Sequence, residues 1–365
     1  MRFSDIIGLE EQKATLVSAV KKNHVAHAQL FHGSEGSGNL ALALAFGAYV
    51  NCENPTETDS CGACAACSKI DKLAHPDVSF IFPTAGGKKI SSETFMAEWR
   101  SFAQENVYGN LTDWLEKIEI KQGNIPVEEA RKLIQNLSLK SYEGGYKLVY
   151  IWLPELLSIS TANAILKILE EPPGKTFFLL VCNNSQSLLT TILSRVQRFA
   201  VPKFRDEDVK AYLLRKGITE DRAKELTILA NGNLNKAIKQ SSSNNTNEHD
   251  WFAGWMRFCY AFNLTELVNC SEEFDSFSKE QQKNMLEYSL TIFREIFLVA
   301  GGNDNLVKLE QKQLEFVQKF SKVFNINNLQ KISELMDEGI FHIERNVRAK
   351  MVLLDTSLKL ARLIK

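Results

Sequence analysis

The 365-residue chain is poor in glycine (19) and proline (8), which disfavours a turn-rich β architecture and leaves long helices as the expectation. It has almost no net charge: 43 basic residues against 44 acidic ones leave −1, so no global field recruits nucleic acid or membrane. Any polyanion contact must then come from a local patch. Long apolar runs are missing too. The longest strongly apolar stretch, Leu40 to Val50, is too short to span a bilayer, and because it directly follows a glycine-rich segment it reads as a buried helix. Residues Met1-Arg2-Phe3-Ser4-Asp5 lack the basic segment and apolar stretch of a signal peptide, so a cytoplasmic protein without a membrane partner is expected. What is present is ordinary for a soluble globular chain: 44% apolar and 24% charged residues. At roughly 150 residues per domain the length predicts two to three domains.

Residues 1–202 alternate between helical and strand patterns. A helix is predicted over Glu10 to Asn23 and a short strand over Gln29 to His32. Further strands are predicted over Lys147 to Trp152 and Thr176 to Cys182. Between the last two, Ala162, Ile165, Leu166 and Leu169 fall on one helical face, and Pro172-Pro173-Gly174 ends that helix. Helices between strands imply a parallel sheet covered on both faces. From Asp206 onward only helical patterns appear, interrupted at Ser241-Ser242-Ser243-Asn244-Asn245, which reads as a linker. Ser278 with Gln281 predicts a capping box ahead of an apolar helix near Met285 to Val299. In the final helix, Val347, Met351, Leu354, Leu358 and Ala361 form an apolar stripe expected to fill the core of its own domain.

Three groups of residues carry chemistry. Gly33-Ser34-Glu35-Gly36-Ser37-Gly38-Asn39-Leu40 lies after a strand and before a helix, where backbone N–H groups and small residues admit a phosphate chain. Gly33 and Gly38 fit the G-x-x-x-x-G-K-[ST] template, with Gly36 between them. The lysine that holds the terminal phosphates is replaced by Asn39, and the hydroxyl that holds Mg²⁺ by Leu40. At the end of the Lys147–Trp152 strand a hydrolase carries Asp-Glu for metal and water, whereas this chain has Leu153 and Pro154. The expectation is no ATP hydrolysis and no productive ATP binding. The second group is Cys52, Cys61, Cys64 and Cys67, whose spacing closes a tetrahedral thiolate site for structural Zn²⁺; an iron–sulfur cluster and a reactive dithiol are the other options. The third is Asn183, ending a strand, with Ser194-Arg195-Val196 following. Taken alone, Arg195 and Arg198 read as surface arginines. His24, His27, His32 and His75 sit singly, and the adjacent Glu170 and Glu171 make a poor acid/base pair.

Together these segments resemble the sliding-clamp loader subunits of the AAA+ superfamily. The resemblance rests on Thr161-Ala162-Asn163-Ala164-Ile165-Leu166-Lys167-Ile168-Leu169-Glu170-Glu171-Pro172-Pro173, similar to the family's helix and EEPP signature, and on the lead-in His27-Ala28-Gln29-Leu30-Phe31-His32-Gly33. Ser194-Arg195-Val196 is similar to its Ser-Arg-Cys motif, and the cysteine cluster to its zinc module. The resemblance implies an α/β AAA+ domain over 1–202, a RecA-like parallel sheet with helices on both faces and a zinc module at 52–67. It further implies a small helical lid over 203–245 and an all-α collar domain that oligomerises over 246–365. It places Arg195 at the arginine finger acting in trans on a neighbour's ATP, Asn183 at sensor 1 and Asn235 where a second sensor arginine is usual. The implied function is a non-catalytic subunit of the DNA polymerase III loader in DNA replication. Its partners would be the motor subunits and the delta subunit, with the sliding clamp and primed DNA engaged through the assembly. Two other readings stand beside it: an active ATPase motor subunit that tolerates Asn39 and Leu40, and a zinc-dependent nucleic-acid-binding protein without a ring partner. Residues 84–120, with Trp99, Trp114 and Gly86-Gly87-Lys88-Lys89, form an insertion-like stretch to which the sequence assigns no function.

Overall fold

The structure is a computed structural model that describes residues 1–84, 91–242, 248–303, 306–307, 309, 311–322 and 328–364. Gly86-Gly87-Lys88-Lys89 and linker residues 243–245 lie outside the described residues. The chain forms two compact units, Met1–Ile218 with Ala230–Lys239, and Thr219–Leu229 with Gln240–Lys365.

The first unit is built on five parallel strands: β1 (Ala28–His32), β2 (Val78–Ile81), β3 (Lys147–Trp152), β4 (Thr176–Cys182) and β5 (Gln197–Ala200), in the order β2-β3-β4-β1-β5. Its helices are α1 (Glu10–Lys21), α2 (Asn39–Val50), α3 (Ala65–Asp71), α4 (Met96–Glu105), α5 (Leu111–Lys117), α6 (Val127–Ser138), α7 (Ile159–Glu170), α8 (Thr190–Leu193) and α9 (Asp206–Arg215). Helix α10 (Glu220–Ala230) belongs mostly to the second unit, and α11 (Leu234–Ser242) mostly to the first. Ser241 and Ser242 therefore continue a helix rather than open the linker.

Strands β3 and β4 coincide with the apolar runs because both sheet faces are covered, which favours hydrophobes; β1 falls where its strand is predicted, buried at Ala28–Phe31 though it carries Gln29. On one face Leu30, Val149, Ile151, Phe178 and Leu180 pack against Leu133 and Leu137 of α6 and Ile165 and Leu169 of α7. On the other, Phe46 of α2 sits 6.1 Å from Phe31 and 6.3 Å from Phe177. Burying each such side chain contributes about 1.5–3 kcal/mol. Helix α2 is buried from Asn39 to Tyr49, as the apolar run Leu40–Val50 predicts. Gly47 brings it close to the sheet: a Cβ there would lie 1.9 Å from Tyr150 Oη. Strands β2 and β5 escape sequence reading because they are four residues each: β2 buries only Phe80 and Ile81, and β5 is half-buried or exposed and carries Gln197 and Arg198.

The second unit is helical among its described residues: α12 (Glu248–Ala261), α13 (Leu264–Ser276), α14 (Lys279–Ala300), α15 (Gln311–Phe320), α16 (Leu329–Glu344) and α17 (Ala349–Ile364). Among the described residues no helix is long and apolar enough to cross a membrane. The capping box opens α14 as expected: Gln281 N donates to Ser278 Oγ at 3.3 Å and Ser278 N to Gln281 Oε1 at 3.0 Å.

The α17 stripe needs correction. Of its five residues only Ala361 is buried; Leu354 and Leu358 are half-buried, and Val347 and Met351 are 44% and 61% exposed. The face turned to the core is Val352, Leu353, Thr356, Ser357, Leu360, Ala361 and Ile364. An apolar count misplaces it because two buried positions are hydroxyls. Ser357 Oγ accepts the Trp255 indole N–H at 2.8 Å and donates to Leu353 O at 2.6 Å, so its burial leaves no orphaned group. Leu353→Ala is expected to lower stability by about 2–5 kcal/mol in chemical denaturation, and Met351→Ala by less than about 0.5 kcal/mol. The reverse ranking would return the core face to the original stripe.

Candidate functional site

The glycine loop joins β1 to α2, the strand–loop–helix context that its sequence predicts. The structure brings Gly33, Gly36, Gly38, Asn39 and Asn183 together, through an inward-facing Asn39. That side chain is 4% exposed. The two Nδ2 protons of Asn39 are shared among Gly33 O at 3.1 Å, Cys182 O at 3.2 Å and Asn183 Oδ1 at 3.3 Å, while its Oδ1 accepts from Ser37 Oγ at 2.9 Å. The amide thus ties the loop to the ends of β1 and β4, where a phosphate-binding lysine would present an ammonium group. Ser37 Oγ has one proton, so its contact with Ser34 O at 2.6 Å and that with Asn39 share a single donor.

The glycines answer close approaches by the chain itself. Gly36 has φ +72°, and a Cβ there would lie 1.7 Å from Asn233 Oδ1; Leu234 N donates to Gly36 O at 2.9 Å. The N-terminus of α11 therefore sits directly on the loop, with Asn233 Oδ1 also accepting from Lys236 N at 2.9 Å. A Cβ on Gly38 would meet Leu9 Cδ1 at 2.6 Å, and one on Gly33 would meet Val201 O at 2.2 Å.

Glu155, just past Leu153 and Pro154, was missed by sequence reasoning. Its Oε1 accepts the N–H groups of Asn183 at 2.9 Å and Asn184 at 3.3 Å. Burial nevertheless holds its carboxyl above the usual carboxylate range, and burial together with this neighbour pushes the Cys182 thiol up. The signal available was a lone carboxylate following a proline at a strand end. Asn235 is buried and partnered: Asn106 Nδ2 donates to its Oδ1 at 2.6 Å, and its Nδ2 donates to Asp113 Oδ2 at 2.8 Å.

Arg195 lies apart from the loop residues, just beyond α8. Its Nε donates to Glu170 Oε2 at 3.0 Å, and its Nη1 to Thr191 O at 3.0 Å and Ser194 Oγ at 3.2 Å. The side chain is 30% exposed, and Glu170 comes from the end of α7.

The four cysteines converge. Their sulfurs lie within 4.8 Å of one another, and Cys61 and Cys67 Sγ are 3.9 Å apart, against about 3.8 Å for the edge of a tetrahedron with metal–sulfur bonds near 2.3 Å. Backbone N–H groups aim at the sulfurs: Cys61 N at Cys52 Sγ (3.2 Å), Cys64 N at Cys61 Sγ (3.3 Å) and Cys67 N at Cys64 Sγ (3.4 Å). Gly62, at φ +69°, makes the knuckle turn. The N–H groups of Ala63 and Cys64 pull the Cys61 thiol down to about 6, as a thiolate ligand requires, whereas burial pushes Cys67 up. The set can hold a metal ion. Asp59 fixes the module to the chain start, accepting from Phe3 N at 3.0 Å and Ser4 N at 2.9 Å.

Fold and site define an α/β protein whose five-stranded parallel sheet carries a glycine loop between β1 and α2, with Asn39 bonded inward beneath it. The family model described as DNA polymerase III, delta subunit, matches residues 8–205, more than half of the chain, and the chain belongs to that family. It is 28% identical over 211 residues to the DNA polymerase III subunit tau/gamma of Haemophilus influenzae, spanning 58% of this chain and 25% of that protein. It is 34% identical over 171 residues to the subunit delta' of Yersinia pestis, spanning 46% and 39%. With the subunit delta' of Bacillus subtilis it shares 24% identity over 302 residues, 80% and 77% of the two chains. The chain thus spans less than half the length of the first two relatives. Among solved structures, a gamma subunit-related protein from Thermotoga maritima is similar at a TM-score of 0.41 and 16% identity, covering 97% of this chain and all of that one.

Proposed function

We propose that this chain is an ATP-inert, delta-prime-type subunit of the DNA polymerase III sliding-clamp loader, acting in the cytoplasm in DNA replication. One observation carries the reading: Asn39 occupies the lysine position and points into the loop, bonded to Gly33, Cys182 and Asn183. Leu40 in place of the Mg²⁺-binding hydroxyl, Leu153 and Pro154 in place of the acidic pair, and Asn235 in place of a sensor arginine point the same way. Every change removes a function exercised on the chain's own nucleotide, which also weighs against an active motor subunit. Arg195, whose role would be exercised on a neighbour's nucleotide, is retained.

In this reading Arg195 is an arginine finger for the ATP of an adjacent motor subunit, and Asn183 is a structural hydrogen-bonding group. The 246–365 region is a collar joining motor and delta subunits, 203–245 is a lid, and clamp and primed DNA are met through the assembly. A guanidinium set against developing γ-phosphate charge is worth roughly 10³–10⁵ in rate. In a loader reconstituted with its motor subunits, Arg195→Ala is expected to lower ATP turnover at the facing site by about 10³-fold or more, and Arg195→Lys to restore little of it because lysine lacks the planar fork. Unchanged turnover in the Arg195→Ala assembly would remove the finger from the account.

The same reading assigns structural Zn²⁺ to Cys52, Cys61, Cys64 and Cys67. The all-sulfur donor set and near-tetrahedral edge support zinc. Elemental analysis of the purified chain is expected to find stoichiometric zinc that is lost from a Cys61→Ser, Cys64→Ser variant. Iron with labile sulfide in its place would assign the module to a cluster instead.

A further inference from the structure

The stretch for which the sequence offers no role has a position that suggests one. In open α/β sheets, ligands sit in the crevice outside the carboxyl ends of the strands. Here those ends are marked by Phe82 just beyond β2, Trp152 closing β3 and the glycine loop after β1. Helices α4 and α5 are fixed to this edge by aromatic packing. Trp99 stacks on Phe82 at 4.5 Å and leans on Trp152 at 5.2 Å; Trp114 meets Phe82 at 4.9 Å and donates its indole N–H to Pro83 O at 2.7 Å. Both tryptophans are fully buried.

The turn between the two helices then reaches two elements at once. Asn110 Nδ2 donates to Glu35 Oε1 in the glycine loop at 2.8 Å. Asn106 Nδ2 donates to Asn235 Oδ1 in α11, and Asn235 Nδ2 returns a bond to Asp113, which also pairs with Lys239. Tyr108, buried between these contacts, meets Phe204 edge-on at 5.6 Å and Tyr212 at 6.3 Å. Asn110 and Asp113 lock the turn reciprocally, Asp113 N to Asn110 Oδ1 at 2.9 Å and Asn110 N to Asp113 Oδ2 at 3.0 Å. Glu35, in the glycine loop, and Asp113, paired with Lys239, are thus engaged by the α4–α5 segment and by α11 respectively.

We propose that the α4–α5 segment is an intramolecular occupant of the nucleotide crevice: a strap that fills it from within and braces the glycine loop against α11 in place of a ligand. This rests on reading the loop as a degenerate ATP site, and adds that the site is blocked as well as stripped of its lysine. Restoring lysine and hydroxyl would then not restore the site.

The test uses the full chain. Hydrogen exchange is read for residues 33–38 and 234–239 in the unaltered protein and in Asn106→Ala, Asn110→Ala, with tryptophan fluorescence from the untouched Trp99 and Trp114 checking the fold. Loss of two bridging bonds is expected to speed exchange in both segments by about tenfold or more. Unchanged exchange in a folded variant overturns the brace. Mg²⁺–ATP binding is then measured for Asn39→Lys, Leu40→Thr with the strap intact and with Asn106→Ala, Tyr108→Ala, Asn110→Ala added. The second is expected to bind at least about tenfold more tightly. Equal affinity, including no binding by either, overturns the occupancy. Binding of ATP by the unaltered chain would strike the degenerate-site reading instead, without altering the exchange result.

Discussion

A single buried amide organises the first unit. Asn39 places its Nδ2 among the Gly33 carbonyl, the Cys182 carbonyl and Asn183 Oδ1, tying the glycine loop to the ends of β1 and β4. Buried polar groups left unpaired are expensive, by about 1–3 kcal/mol each, and this amide supplies partners for several at once. Glycines that elsewhere leave room for phosphate here leave room for Asn233, Leu9 and Val201.

From that constraint the division of labour follows. In the reading proposed above, the missing lysine, metal hydroxyl and acidic pair deprive the chain of the charge needed to hold and activate a triphosphate. What it retains is a guanidinium on another part of the unit, held by Glu170 and by carbonyl and hydroxyl oxygens at the end of α8. The cysteine module is independent of both. It is tied to the N-terminal residues through Asp59 and lies beyond the far end of α2 from the loop.

The parts visible in the sequence are those set by local pattern. Strands β3 and β4 are largely runs of hydrophobes because both faces are buried, the cysteine spacing already brings four thiols within reach of one metal ion, and the Ser278–Gln281 box closes over three residues. Strands β2 and β5 are too short to show a period, and β5 is also largely exposed. The face of α17 was misread because Thr356 and Ser357 are buried as hydroxyls with partners, which a hydrophobic count cannot register. The strap was invisible for another reason. Asn106 and Asn110 act across 129 and 75 residues of sequence, and an asparagine in a turn looks the same whether it faces water or bridges two elements. Only the Asn110–Asp113 cap, a local pattern, was open to reading. The roles proposed for Asn183 and Arg195 rest on resemblance to a family, since the residues alone read as a strand end and a surface charge.

The most direct test of the proposed closed loop is a calorimetric titration of the unaltered chain with Mg²⁺–ATP, paired with a crystal soaked in the same nucleotide. The account predicts no binding heat and a glycine loop with Asn39 still bonded to the Gly33 and Cys182 carbonyls. A saturable isotherm, with a triphosphate seated on the N–H groups of Gly36 to Asn39 and the Asn39 side chain turned out, would contradict it.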